Sequence, residues 1–184
     1  AALHIRRGTE IEPLIYGGGQ EFGLTSATPA TPLIAGFAKA LELADNKKQI
    51  TTGKLEKLRD GFIAKLKKTM PGVKINGPEN ALNRVPSIIN AIFPGIENEQ
   101  LLLHLDKCGI RASAGSACAS KEMEPSHVLT AIGLSQKEAR STIRFSLSSQ
   151  NTEAEMDCVL KILPKVVKKI QGLYPENLKK QYYR

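Results

Sequence analysis

Hydrophobic spacing along the chain switches between a helical period and strand-like alternation. Leu33, Phe37, Ala40, Leu41 and Ala44 fall on one side of a helix predicted over about 32–44. Leu55, Leu58, Phe62, Ile63 and Leu66 repeat the pattern in a second helix, with Thr51 or Thr52 as its cap and Pro71-Gly72 as its stop. Strand character appears at Leu3 to Ile5, Val73 to Ile75, Ser87 to Phe93, Ile110 to Ala112 and Thr142 to Leu147. Shorter helices are predicted from Glu99 to Lys107, from Pro125 to the stop at Gly133, and after Ser135, which forms a capping box with Glu138. Thr152 and Glu155 form the same box ahead of a long helix striped by Met156, Val159, Leu160, Leu163, Val166, Val167 and Ile170. Pro164 is predicted to kink that helix. The pattern is that of an α/β fold, helices packed on a small sheet, with a boundary near 45–52 and a frayed basic tail at 175–184. A strand at the first residues also implies that the chain begins inside a larger fold.

Composition narrows the class. At 184 residues, 41% hydrophobic and 24% charged, the chain can bury a core without disulfide or metal staples. No apolar run approaches the roughly 18 residues of a membrane span, and the first residues do not build a signal peptide. Three cysteines without a CxxC pair argue against a disulfide framework and a zinc knuckle, and point to a cytoplasmic setting. The net charge of +8 raises the question of nucleic acid. The lysines fall on helical segments without interleaved aromatic platforms, so they read as solvated helix faces and nucleic acid is not the expected partner.

Cys118 is the first candidate for chemistry. It sits in a run of Ala, Gly and Ser between a strand and a helix, where a thiol is either exposed and reactive or a small hydrophobe in a tight loop. Cys108 and Cys158 stand beside aliphatic residues in helical segments and read as core filling. Arg144, flanked by apolar residues in a predicted interior strand, either forms a buried ion pair or binds an anionic ligand; the ion pair is the simpler reading. His4, His104 and His127 are scattered, and His127 alone lies near the cysteine loop. The glycine run Gly17 to Gly19 matches neither a P-loop nor a dinucleotide fingerprint.

Together these segments carry a resemblance. Ser113-Ala114-Gly115-Ser116-Ala117-Cys118, followed by Glu124-Pro125-Ser126-His127-Val128-Leu129, resembles the active-site loop of NifS/IscS-type (group I) cysteine desulfurases in the class V aminotransferase superfamily. Ile143-Arg144-Phe145-Ser146-Leu147 is similar to the segment bearing that family's substrate-carboxylate arginine, and Tyr16 to Gly23 with Ser26 and Thr28 resembles its glycine-rich PLP-loop. The likeness covers nearly the whole chain but only the second half of a family member.

The resemblance implies a PLP fold-type I protein: the end of a large PLP-binding domain at 1–45 and a small α/β domain at 46–174 bearing the cysteine loop. It implies pyridoxal 5'-phosphate as cofactor and L-cysteine as substrate, with alanine as product. Cys118 then becomes the persulfide-bearing nucleophile, Arg144 the carboxylate clamp, and Thr28 a ligand of the cofactor phosphate bound by the other subunit of a homodimer. Acceptors of the sulfur would be an iron–sulfur scaffold or the tRNA-thiolation machinery. The family's cofactor lysine, ring-stacking histidine and pyridine-nitrogen aspartate belong to the other half, so this chain alone is expected to be inactive. Its PLP-loop also departs from the usual Arg-Ser-Gly-Thr-Glu-Asn, reading Thr25-Ser26-Ala27-Thr28-Pro29-Ala30. Two other classes stay open: a non-catalytic module that docks sulfur acceptors, and a related PLP aminotransferase or selenocysteine lyase.

Overall fold

The longest element is a single helix, α1, from Thr31 to Thr69. In this computed structural model, residues 2–78, 80, 83–114 and 126–173 are described. Cys118, Pro125 and the 175–184 tail lie outside them. Two helices were expected where α1 runs. The Asp45-Asn46-Lys47-Lys48-Gln49 stretch contains neither proline nor glycine, so nothing ends the first helix and Thr51 and Thr52 stay inside it.

The chain falls into two compact units, divided between Lys48 and Gln49. In the first unit, Leu3 to Ile5 forms no strand. An alternating pattern becomes a strand only with a pairing partner, and the pairing described in this unit is one parallel bridge, Ile15 to Thr25. A 3₁₀ turn follows at Glu21–Gly23. Leu33, Phe37 and Leu41, one stripe on the early turns of α1, are exposed.

The second unit holds the core. Its sheet has the order β1 (Lys74–Ile75), β2 (Ile88–Ile92), β3 (Thr142–Ser146), both pairs antiparallel. Alternation sends Ile89, Ala91, Ile143 and Phe145 to one face of this sheet, where they are buried. That face joins one cluster with Phe62 and Leu66 of α1, Leu101 and Leu105 of α2 (Asn98–Asp106), and Leu160 and Leu163 of α5 (Glu153–Gly172). The rings of Phe62 and Phe145 meet with centroids 5.5 Å apart and planes tilted by 57°, within the favoured aromatic range. This is a two-layer α/β arrangement.

The short helices α3 (His127–Ala131) and α4 (Gln136–Arg140) lead into β3. Both predicted capping boxes form: Ser135 Oγ accepts from the Glu138 N–H, and Thr152 Oγ1 from the Glu155 N–H. Each glutamate reaches back to the backbone N–H of its cap residue, at 3.2 Å for Ser135 and 2.8 Å for Thr152. α5 continues past Pro164 to Gly172. Ile110 to Ala112 is not a strand; pairing there is confined to a bridge between Ser113 and Arg144.

One buried charge lacked any sequence signal. Arg59 on α1 is 1% exposed. Its Nε donates to Asp60 Oδ1 at 2.8 Å and its Nη1 donates to the Arg84 carbonyl at 3.3 Å. A guanidinium removed from water needs such partners.

Candidate functional site

β3 carries the site. Ile143 and Phe145 point into the core, so Arg144 between them must project from the opposite face, and it is exposed. That face is buried only toward one end, at Ile92 and Thr142. Among the described residues the Arg144 guanidinium has no hydrogen bond or ion pair, which corrects the reading of it as a buried ion pair. The apolar flanks that suggested burial belong to the other face.

The backbone of Arg144 is held on both sides. Its N–H donates to the Ser113 carbonyl at 2.6 Å, and the Ser113 N–H donates back to the Arg144 carbonyl at 3.0 Å. Across the sheet Arg144 faces Asn90 of β2. The Asn76 side-chain amide donates to Asn90 Oδ1 at 2.6 Å, and the Asn76 N–H donates to the Asn90 carbonyl at 2.9 Å. A polar strip of Asn76, Asn90, Arg144 and Ser113 therefore crosses the outward face. The sequence reading passed over Asn90; its signal was a polar side chain at the centre of an otherwise apolar strand.

Such a strip can receive an anion. A guanidinium free of internal partners offers two parallel N–H groups in the geometry of a carboxylate. Ser113 lies five positions before Cys118, so the chain leaves toward the cysteine loop from a point fixed beside Arg144.

In the first unit, Thr28 follows a closed loop. The Ser26 N–H donates to the Ile15 carbonyl at 3.2 Å, and the Gly19 N–H donates to Ser26 Oγ at 3.3 Å. A Cβ on Gly17 would sit 2.9 Å from the Ser26 Cβ, so the approach needs a glycine there. Thr28 itself is exposed, and its hydroxyl has no partner among the described residues. His4 lies in coil, His127 opens α3, and His104 Nδ1 lies 3.0 Å from the Gln100 carbonyl.

Cys108 and Cys158 do not fill the core; both are exposed. Cys108 sits in the turn after α2, its N–H donating to the Leu105 carbonyl. Cys158 lies two residues beyond buried Met156, roughly 200° around the helix, and so faces away from the stripe. Cys108 and Cys158 line a groove of about 260 Å³ that Arg111 and Glu155 also line. The Thr152 N–H and the Asn151 amide hold the Glu155 carboxyl below its usual range. Among the described residues no helix is long and apolar enough to cross a membrane, and no group of three His, Cys, Asp or Glu residues is placed to hold a metal ion.

A sequence model of this architecture, the aminotransferase class-V model, matches residues 2–159. The chain belongs to the class-V aminotransferase family. Among class-V proteins it is 45% identical over 174 residues to the cysteine desulfurase IscS of Clostridium botulinum, and 40% identical to IscS 1 of Archaeoglobus fulgidus. Each alignment covers 95% of this chain but 44% and 45% of those relatives, so the chain spans less than half their length. A solved NifS-like protein superposes with a TM-score of 0.77 at 34% identity, covering 90% of this chain and 41% of that one. A NifS-like protein from Rickettsia africae gives a TM-score of 0.74 at 32% identity, covering 87% of this chain and 41% of its own. The small sheet with its flanking helices is thus part of the fold-type I architecture of NifS-like proteins.

Proposed function

We propose that this chain is the carboxy-terminal part of a cysteine desulfurase that moves sulfur from L-cysteine to a protein thiol in the cytoplasm. The observation that supports it most is the exposed Arg144, free of internal partners among the described residues, on a strand tied to the start of the cysteine loop. The similarity to proteins called cysteine desulfurases agrees with that placement. In this reading, residues 1–45 complete a large PLP-binding domain, 46–174 form the small domain, and the whole protein is a homodimer.

Pyridoxal 5'-phosphate is the implied cofactor, and the residues present fit it where they can be tested. Thr28 carries a hydroxyl uncommitted among the described residues, on a segment cinched by Gly17 and Ser26, which suits a donor to a phosphate oxygen. When bound, the cofactor supplies an electron sink for chemistry at the carbon skeleton of the substrate.

The protein's own part divides between two residues. Arg144 holds the carboxylate of L-cysteine by paired, charge-assisted hydrogen bonds and so fixes where the substrate sulfur lies. The Cys118 thiolate attacks that sulfur: a sulfur–sulfur bond forms, the carbon–sulfur bond breaks, and its electron pair and a proton remain on the carbon that leaves as alanine. The persulfide on Cys118 then passes its outer sulfur to an acceptor protein such as an iron–sulfur scaffold. An aminotransferase or selenocysteine lyase would use Arg144 equally but leaves Cys118 without a task.

The test is alanine formation from L-cysteine by the whole protein containing this sequence, loaded with pyridoxal 5'-phosphate. Cys118→Ser should abolish alanine release while retaining cofactor absorbance, and Arg144→Ala should chiefly raise KM. Full turnover by the Cys118 variant, or preference for an amino acid with a keto-acid acceptor, overturns the reading.

A further inference from the structure

A second groove lies in the second unit, and Arg144 is not among the residues that line it. It encloses about 470 Å³ between the turn after α1 (Met70, Val73), the segment after β2 (Phe93, Ile96) and the later turns of α5 (Val167, Lys168). Its walls are predominantly apolar, and none of its lining residues is acidic.

The α5 wall of the groove is cationic, while exposed Glu97 follows the lining residue Ile96. From Cys158 to Gly172, α5 carries four lysines and no carboxylate. Lys161, Lys165, Lys168 and Lys169 are exposed, and spacings of four, seven and eight put them on one face of the helix. Just before Met70, α1 ends in exposed Lys67 and Lys68. Lys65 is already committed to Glu153 and Asp157, and Lys74 to Glu138. The other six have no ion pair among the described residues.

We propose that this groove docks an acidic segment of a partner protein through an apolar anchor residue. The two halves of the observation require different things of the occupant. Lys168 at the groove and the neighbouring lysines without an ion pair among the described residues favour carboxylates and raise the encounter rate. An apolar trough favours a buried aromatic or aliphatic side chain at the centre of the contact, with the charges around it. A nucleic acid meets the first requirement but has no apolar side chain for the trough. A second copy of this chain would bring the same lysines against themselves. An acidic peptide with a Phe or Leu among Glu and Asp meets both, independently of the sulfur chemistry proposed above.

The test uses the full 184-residue chain and a fluorescein-labelled peptide of Glu and Asp residues around one Phe and one Leu. Binding is followed by anisotropy and by methyl NMR shifts of Met70, Val73 and Val167. Binding should shift those methyls and weaken with added salt. It should fall about tenfold or more with Lys168→Glu/Gln171→Glu, and likewise when the peptide's Phe and Leu become Ser. Thermal melting of the variant controls for folding. Several outcomes overturn the proposal: no binding, equal binding of the anchor-free peptide or of oligouridylate, shifts elsewhere, or a concentration-dependent dimer whose contacts perturb the same methyls.

Discussion

Ser113 and Arg144 exchange both backbone hydrogen bonds, so the segment leading to Cys118 is anchored to the strand bearing the exposed guanidinium. Sequence places these residues 31 positions apart, and only folding brings them together. Ser113→Pro removes one donor of the bridge and should cost about 1 kcal/mol in urea unfolding. Arg144→Ala, with no partner to lose among the described residues, should stay within about 0.5 kcal/mol of the parent. A larger loss for Arg144→Ala would mean that the guanidinium serves the fold.

The two capping boxes make a pH-dependent contribution with a definite sign. Hydrogen bonds from Ser135 and its backbone hold the Glu138 carboxyl below the ordinary glutamate value of 4.5, and those from Thr152 and Asn151 do the same for Glu155. Their contribution is therefore complete above that value and is lost as pH falls through the depressed folded values. Glu155→Gln keeps the shape of the box but removes its charge, and should lower stability at neutral pH. Unfolding curves of parent and variant should converge in acid; a gap that stays constant there would rule out the box as its source.

Much of this fold was legible because local signals and global packing agree. The boxes at Ser135 and Thr152, the strands around Ile89 and Ile143, and the α5 stripe each combine a cap or alternation with a buried face. Failures occurred where a local pattern needed information from elsewhere. Leu3 to Ile5 alternates, but a strand requires a neighbour. Thr51 could cap a helix, but nothing upstream ended the previous one. Arg144 has apolar neighbours, yet alternation places them on the far side of the sheet. Its pairing with Asn90 and Ser113 is a matter of register, which no single segment encodes. Cys118 was marked by its motif alone and lies outside the described residues.

Arg59 tests the cost of stranding a buried cation. It is 1% exposed, whereas its partner Asp60 is half exposed, so solvent already weakens the pair. Asp60→Ala should still destabilise by about 1–3 kcal/mol, because among the described residues the guanidinium keeps only the Arg84 carbonyl. Arg59→Met, which removes the charge and keeps much of the volume, should be less harmful than Asp60→Ala. The reverse order in urea midpoints would show that Arg59 matters through packing and not through its charge.

Cys108 and Cys158 give the last check, because sequence and structure make opposite demands on their reactivity. A core thiol alkylates only when the protein opens, whereas an exposed one reacts in the native state. Both are exposed on the rim of the groove that includes Arg111 and Glu155. In a Cys118→Ser background, iodoacetamide should modify Cys108 and Cys158 under native conditions at rates close to those in urea. Peptide mass mapping assigns each site. Protection of either thiol until the unfolding transition would return it to the core.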